Sequence, residues 1–303
     1  MFSGVIPPLI TPLTAAGEVD RPSLARLVNW ELTAGVHGVF ALGSSGESVY
    51  LTDQQRDEVL DVVVSTVAGQ VPVLAGCIET ATNRVIDRAR AAVRAGADAI
   101  VATAPFYALV GEAEIASHFR RIHASTDLPL LAYDVPVCVP RALSAAGLKS
   151  LAQEDVIVGI KDSSGDDVRA RMRMVALADH PTFSHLTGHE VVVDAMLIAG
   201  MDGVVPGLGN LDPHGYIRLY DAARAGRWEQ ARAEQSRLAR LFRIVEIADS
   251  NEAGPNSAGV GAFKSGLVQR GIIESNRMST PMYTLDEPEQ KLVARALESA
   301  GLL

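Results

Sequence analysis

Cysteine is scarce: Cys77 and Cys138 are the only two in 303 residues. Two thiols cannot build a disulfide scaffold, so a reducing compartment, and with it the cytoplasm, is the simpler expectation. Basic charge is in deficit too. Lys plus Arg total 27 against 36 Asp plus Glu, a formal charge of −9. A net-acidic chain offers no electrostatic footprint for nucleic acid or an anionic membrane, and neither is expected as a partner. No apolar run reaches the roughly 18 residues that a membrane span needs. The first thirteen residues lack a basic stretch and hold Pro7, Pro8 and Pro12, so a secretory signal is not expected there. Low-complexity tracts and long charge runs are missing as well. What remains is an ordinary globular composition, 48% hydrophobic and 21% charged. It is enough chain for one large α/β barrel or two smaller domains, with a core that needs no disulfides.

Short apolar runs alternate with longer amphipathic ones. Strands are expected at 5–10, 38–42, 72–75, 99–103, 129–133, 156–160, 185–187 and 203–205. Most are rich in Val, Ile and Leu on both faces, as buried parallel strands are. The first is the weakest, because Pro7 and Pro8 each remove a ladder donor. Helices are expected at 22–34, 52–68, 82–95, 112–125, 144–151, 166–178, 190–199 and 213–225. The run from Thr52 opens with a capping-box pattern, Gln55 in the fourth place. Ala34-Gly35-Val36-His37-Gly38-Val39, Ala95-Gly96-Ala97-Asp98-Ala99-Ile100 and Ala199-Gly200-Met201-Asp202-Gly203-Val204 repeat one pattern. Each is a helix end, a glycine, a polar residue and then a strand, with the glycine placed for a left-handed cap. Eight strands and eight helices within residues 1–225 fit a (β/α)8 barrel; a doubly wound open sheet is the alternative. Residues 226–303 change character and read as a helical appendage. It has a long helix over 227–248, a polar loop over 249–261, a short helix over 262–270 and a last helix capped by Asp286.

Barrel active sites form at the C-terminal ends of the strands, so polar residues at those ends carry the functional reading. Three ends stand out. Val158-Gly159-Ile160 runs straight into Lys161, and a lysine drawn out of bulk water at a barrel mouth is a usable amine nucleophile. The plain alternative is a solvated lysine at a loop start. Tyr133 closes the preceding strand, where a phenol can move a proton or simply sit with its ring in the core and its hydroxyl at the rim. Gly43-Ser44-Ser45-Gly46-Glu47 can aim backbone N–H and side-chain O–H groups at a carboxylate or phosphate, or be an ordinary strand-to-helix turn. Together, an amine, a phenol and an anion-binding turn suit a carbonyl substrate that bears a carboxylate. The amine would form an imine, an electron sink next to which a C–C bond breaks or forms.

Gly43-Ser44-Ser45-Gly46-Glu47, Tyr133-Asp134-Val135-Pro136 and Gly159-Ile160-Lys161-Asp162, with the spacing between them, resemble the signatures of the dihydrodipicolinate synthase / N-acetylneuraminate lyase family. These are class I, pyruvate-dependent aldolases, and the likeness extends over the whole chain. The resemblance implies that Lys161 forms an imine with pyruvate and that Tyr133 gives and takes protons. It implies that Ser44, where many members have threonine, relays protons to Tyr133. Ser45 and the turn's N–H groups, Gly46 among them, would bind the pyruvate carboxylate. Tyr107 matches a tyrosine that reaches into a neighbouring subunit's site, and Val205 falls where a backbone carbonyl faces the substrate. It also implies a homotetramer, a dimer of dimers, with no metal and no separate cofactor.

Departures from the family pattern bear on the aldehyde partner. The synthases usually carry an arginine two residues after the Val-Pro of the tyrosine motif, where this chain has Cys138. A neutral thiol cannot make a bidentate carboxylate contact, and Arg141 lies three residues further on. Asp134 stands where asparagine is usual. Lys161-Asp162-Ser163-Ser164-Gly165 is more similar to the 2-keto-3-deoxy sugar acid aldolases. The expected function is therefore cleavage or formation of a 2-keto-3-deoxy sugar acid or similar 2-oxo acid. Dihydrodipicolinate synthase is the runner-up, a dehydratase of the same imine chemistry comes third, and a silent 2-oxo acid-binding relative is the reading from another class. His185 and His189 are four apart but not in a helical His-Glu-x-x-His pattern, so no metal site is expected; His189 could line the pocket. Gly207-Leu208-Gly209-Asn210 sits where barrels often bind phosphate but also reads as a turn. Cys77 reads as a small buried hydrophobe.

Overall fold

The apolar runs form eight short parallel strands: β1 (Gly4–Val5), β2 (Val39–Ala41), β3 (Val73–Gly76), β4 (Ala99–Thr103), β5 (Leu130–Asp134), β6 (Gly159–Asp162), β7 (Ser184–Thr187) and β8 (Gly203–Val204). The computed structural model describes residues 1–303. The strands lie side by side in the order β1-β8-β7-β6-β5-β4-β3-β2. A parallel bridge between Pro8 and Phe40 joins the two ends, with Leu9 N–H donating to Phe40 O at 2.8 Å and Phe40 N–H to Pro7 O at 2.9 Å. The sheet thus closes into a (β/α)8 barrel. The ladder of β1 stops at Val5 rather than running to 10, because Pro7 and Pro8 have no N–H to give.

Eight helices follow the strands: α1 (Arg21–Ala34), α2 (Asp53–Val67), α3 (Thr82–Ala95), α4 (Glu112–His123), α5 (Ala145–Gln153), α6 (Asp167–Ala176), α7 (Val193–Ala199) and α8 (Pro213–Arg224). Thr52 caps α2 in the expected box with Gln55. The repeated glycines Gly35, Gly96 and Gly200 all end their helices in the left-handed conformation, at φ of 88°, 87° and 109°.

The C-terminal region holds α9 (Trp228–Phe242), α10 (Pro255–Gln269) and α11 (Glu287–Ser299). Two expectations need correction here. The helix expected over 227–248 ends at Phe242 and tightens into a 3-10 turn, Arg243–Glu246. The expected polar loop over 249–261 yields its second half to α10, which starts at Pro255, a residue well suited to a first helical position. Glycine-rich sequence reads as loop, yet here it serves close packing: a Cβ on Gly266 would lie 2.7 Å from the Leu211 side chain. One apolar cluster of 80 buried residues runs through the barrel and residues 226–303 alike, so the last helices pack onto the barrel's own core. No helix is long and apolar enough to cross a membrane.

Candidate active site

Lys161 lies within β6, not after it as the sequence suggested, and pairs in register with Tyr133 of β5. Lysine and aspartate are poor strand formers, but β6 is flanked by β5 and β7, and that pairing extends the strand to Asp162. Both side chains are drawn out of solvent: Lys161 is 5% and Tyr133 4% exposed. The ammonium nitrogen sits 4.2 Å from the centroid of the Tyr133 ring and 4.8 Å from that of Phe40. The two rings meet edge to face, so the amine is held between aromatic walls.

Alternation along a strand sends the next residues to the opposite face. There the carboxylates of Asp134 and Asp162, themselves register partners, both pair with Arg173 of α6. Arg173 is 1% exposed and also donates to Leu143 O, while Asp134 Oδ1 accepts Leu143 N–H at 3.1 Å. One guanidinium thus ties together the residues that directly follow Tyr133 and Lys161. The charge of Asp134 is matched by this cation. Nothing local in the sequence marked Arg173, which is 39 residues from Asp134.

The turn after β2 completes the cluster. Ser44 Oγ lies 3.4 Å from Tyr133 Oη. The turn is pinned by Gly46 N–H to Gly43 O and Glu47 N–H to Ser44 O, both 3.1 Å, and by the Thr11 hydroxyl, which donates to Gly46 O at 2.7 Å. A side chain at Gly46 would press on Leu9 O, 3.0 Å from its Cβ. The backbone N–H groups of Ser44 and Ser45 have no acceptor in the chain, as an anion-binding turn requires. Just past β8, the Val205 carbonyl likewise receives no backbone donor, although its N–H is held by Thr187 O at 2.8 Å.

A comparison with known proteins fits this arrangement. The model of the dihydrodipicolinate synthetase family matches residues 1–300. The chain belongs to this family. An uncharacterized DapA-like lyase of Halobacterium salinarum is 34% identical over 99% of this chain and 94% of that protein. A 4-hydroxy-tetrahydrodipicolinate synthase of Gluconacetobacter diazotrophicus is 33% identical over 100% and 98%. YagE of Escherichia coli K12, provisionally named a 2-dehydro-3-deoxy-D-gluconate aldolase, has been solved with pyruvate. It superposes with a TM-score of 0.94 at 30% identity over the whole of both chains. This member of the dihydrodipicolinate synthetase family is accordingly a lyase.

Within that family frame, the other expected residues fall in different places. Tyr107 does not join its own chain's cluster: it is 99% exposed, at a positive φ of 76°. His189 turns its Nδ1 to Asp167, 3.1 Å away. Cys138 is exposed at a cavity of about 270 Å³ beside Ser44, with Val49, Tyr50, Ile78, Phe106 and Val135 as other walls. No charged side chain lines that cavity, and Arg141 is exposed. Cys77 is buried, and burial pushes its thiol up to about 12. No grouping of three or more His, Cys, Asp or Glu side chains is placed to hold a metal.

Glu190 escaped the sequence reading, which assigned it to the start of a helix. Instead α7 begins at Val193, and Glu190 accepts the Leu208 N–H at 2.7 Å and the Tyr216 hydroxyl at 3.3 Å. Burial pushes its carboxyl up to about 7, against the opposing pull of the Leu208 and Gly207 N–H groups, Tyr216 and the charge of Lys161. A raised value means that the folded state holds this proton more tightly than the unfolded chain does. The resulting stabilisation is complete below the unfolded carboxyl's value of about 4.3 and is lost as pH rises through about 7. Glu190→Gln never ionises. Relative to the parent it should therefore gain up to about 3 kcal/mol between about pH 5 and about pH 8. Melting curves of both proteins across that range check this, and a constant difference would contradict it.

Proposed function

We propose that the protein is a Schiff-base aldolase that releases pyruvate from, or adds it to, a 2-keto-3-deoxy sugar acid or a similar 2-oxo acid. The observation that carries the reading is the convergence of a buried amine, a phenol in register beside it and a turn with free N–H groups. Lys161 Nζ adds to the C2 carbonyl of the 2-oxo acid and water leaves, giving a protonated imine. The C3–C4 bond then breaks, its electron pair moving into the imine to form an enamine, while the C4 hydroxyl becomes the aldehyde carbonyl. Tyr133 takes the hydroxyl proton and returns one to C3. Hydrolysis of the imine frees pyruvate and regenerates the amine, so no metal or separate cofactor enters the cycle.

Ser44, at 3.4 Å from Tyr133 Oη, relays the proton. Ser45 and the N–H groups of its turn, with Gly46 keeping the turn tight, hold the substrate carboxylate. The Val205 carbonyl faces the reacting centre. Tyr107 extends the relay from a second copy of the chain: its full exposure suits a residue that reaches outward. An apolar face, with Val168, Met172 and Val175 on α6 and Ile198 on α7 each more than half exposed, would supply one interface of a dimer of dimers, separate from the one that Tyr107 reaches across. Free thiols suit a cytoplasmic setting.

The cavity without a guanidinium favours an aldehyde that carries no carboxylate of its own. The synthase reading has its own support, since relatives of similar identity bear that name. The two readings part in one assay. Pyruvate release from a panel of 2-keto-3-deoxy acids, followed with a coupled dehydrogenase, is expected to find a substrate. Pyruvate with aspartate semialdehyde is expected to give no robust turnover, in the parent or in Cys138→Arg. Robust turnover of aspartate semialdehyde by the parent would reject the sugar-acid reading.

A further inference from the structure

Glu47 ends the carboxylate-binding turn, yet its side chain leaves the substrate side altogether. Its backbone is left-handed, at φ 57°, a costly conformation for a residue with a side chain. That twist buries the carboxylate, which is 1% exposed as a residue. Oε2 accepts the Ser279 N–H at 2.7 Å. Oε1 forms an ion pair with Lys264 in the middle of α10, and both side chains are fully buried. Lys264 in turn donates to Arg277 O at 2.6 Å. Burial pulls the Lys264 ammonium down from its usual range and Glu47 holds it up.

A buried ion pair is a poor way to add stability, because desolvation of both charges offsets their attraction. Its retention calls for another role, and the geometry supplies one. The Glu47 N–H holds Ser44 O, so the residue anchored by Lys264 sets the carbonyl of the serine that faces Tyr133. The N–H groups of Ser44 and Ser45 point where the rest of the turn directs them. We propose that Lys264, reaching from the C-terminal helices to Glu47, is a positioning residue for the carboxylate-binding turn, so that capture of the 2-oxo acid depends on residues 226–303. This rests on the function proposed above. It gives the helical appendage a part in substrate binding, although none of its residues need touch the substrate.

The test separates positioning from mere stability. Lys264→Met alone leaves an unpaired buried carboxylate and can fail to fold. The double variant Glu47→Gln with Lys264→Met removes both charges while keeping side-chain volume, and is expected to fold. The readout is trapping of pyruvate on Lys161 by borohydride as pyruvate concentration is varied, in the full-length chain, well below the melting temperature of each variant. The double variant should reach the parent's full extent of trapping, but with half-saturating pyruvate raised about tenfold or more, the scale of loss from small misplacement of binding groups. An unchanged half-saturating concentration, with only a lowered melting temperature, would overturn the proposal. If the double variant does not fold, Glu47→Gln alone, in which Lys264 can shed its proton and keep its bond to Arg277 O while the Ser279 contact stays available, must show the same rise, and a parental value there would overturn it equally. Failure of the parent to trap pyruvate at all would refute the imine reading itself, a distinct result.

Discussion

Lys161→Ala is expected to lose turnover by at least about 10⁴-fold, the order seen when a covalent nucleophile is removed. The amine is the one group in this mouth that can form an imine with a ketone carbon, and both neighbouring walls, Phe40 and Tyr133, are aromatic. Alanine leaves space between these rings but removes a desolvated charge, so the fold should persist, as circular dichroism can check. Lys161→Arg is the sharper companion. It keeps charge and length, but guanidinium does not deprotonate in proteins, so it should be equally inactive. Turnover by either variant within tenfold of the parent would remove the nucleophile from the account.

Tyr133→Phe should lower kcat by about 10²–10⁴-fold, the usual share of a positioned acid–base group, while pyruvate is still trapped on Lys161. The ring packs edge to face on Phe40 with centroids 6.3 Å apart, and phenylalanine keeps that contact. What is lost is one oxygen and its 3.4 Å approach to Ser44 Oγ. Rapid-quench measurement of the adduct beside steady-state kcat distinguishes the cases. Loss of adduct together with kcat would make Tyr133 a packing partner for the amine instead of a proton carrier.

The sequence made the barrel legible because parallel strands and capped helices leave local marks. β4 lies where its apolar run predicts, Thr52 caps α2, and three glycines end three helices. Lys161, Tyr133 and Ser44 were found as strand-end residues, and they converge. What escaped was non-local. Arg173 is recognisable only once Asp134 and Asp162 lie side by side on neighbouring strands. Lys264 looks like one polar residue in a glycine-rich segment until Glu47, more than two hundred positions earlier, meets it. The sequence places Glu190 at the start of a helix over 190–199. Its contacts with Leu208 and Tyr216 draw it toward the mouth instead. Each miss is a charged side chain with at least one partner in a different element pair of the fold (Asp134 for Arg173, Glu47 for Lys264, Leu208 and Tyr216 for Glu190), where periodicity carries no information.

One measurement bears most directly on the central chemistry. The protein is incubated with pyruvate and sodium borohydride, digested, and its peptides weighed. The account predicts a single reduced pyruvate adduct on the peptide that holds Lys161, absent from Lys161→Arg. An unmodified Lys161 peptide, or an adduct carried by another lysine, would contradict it.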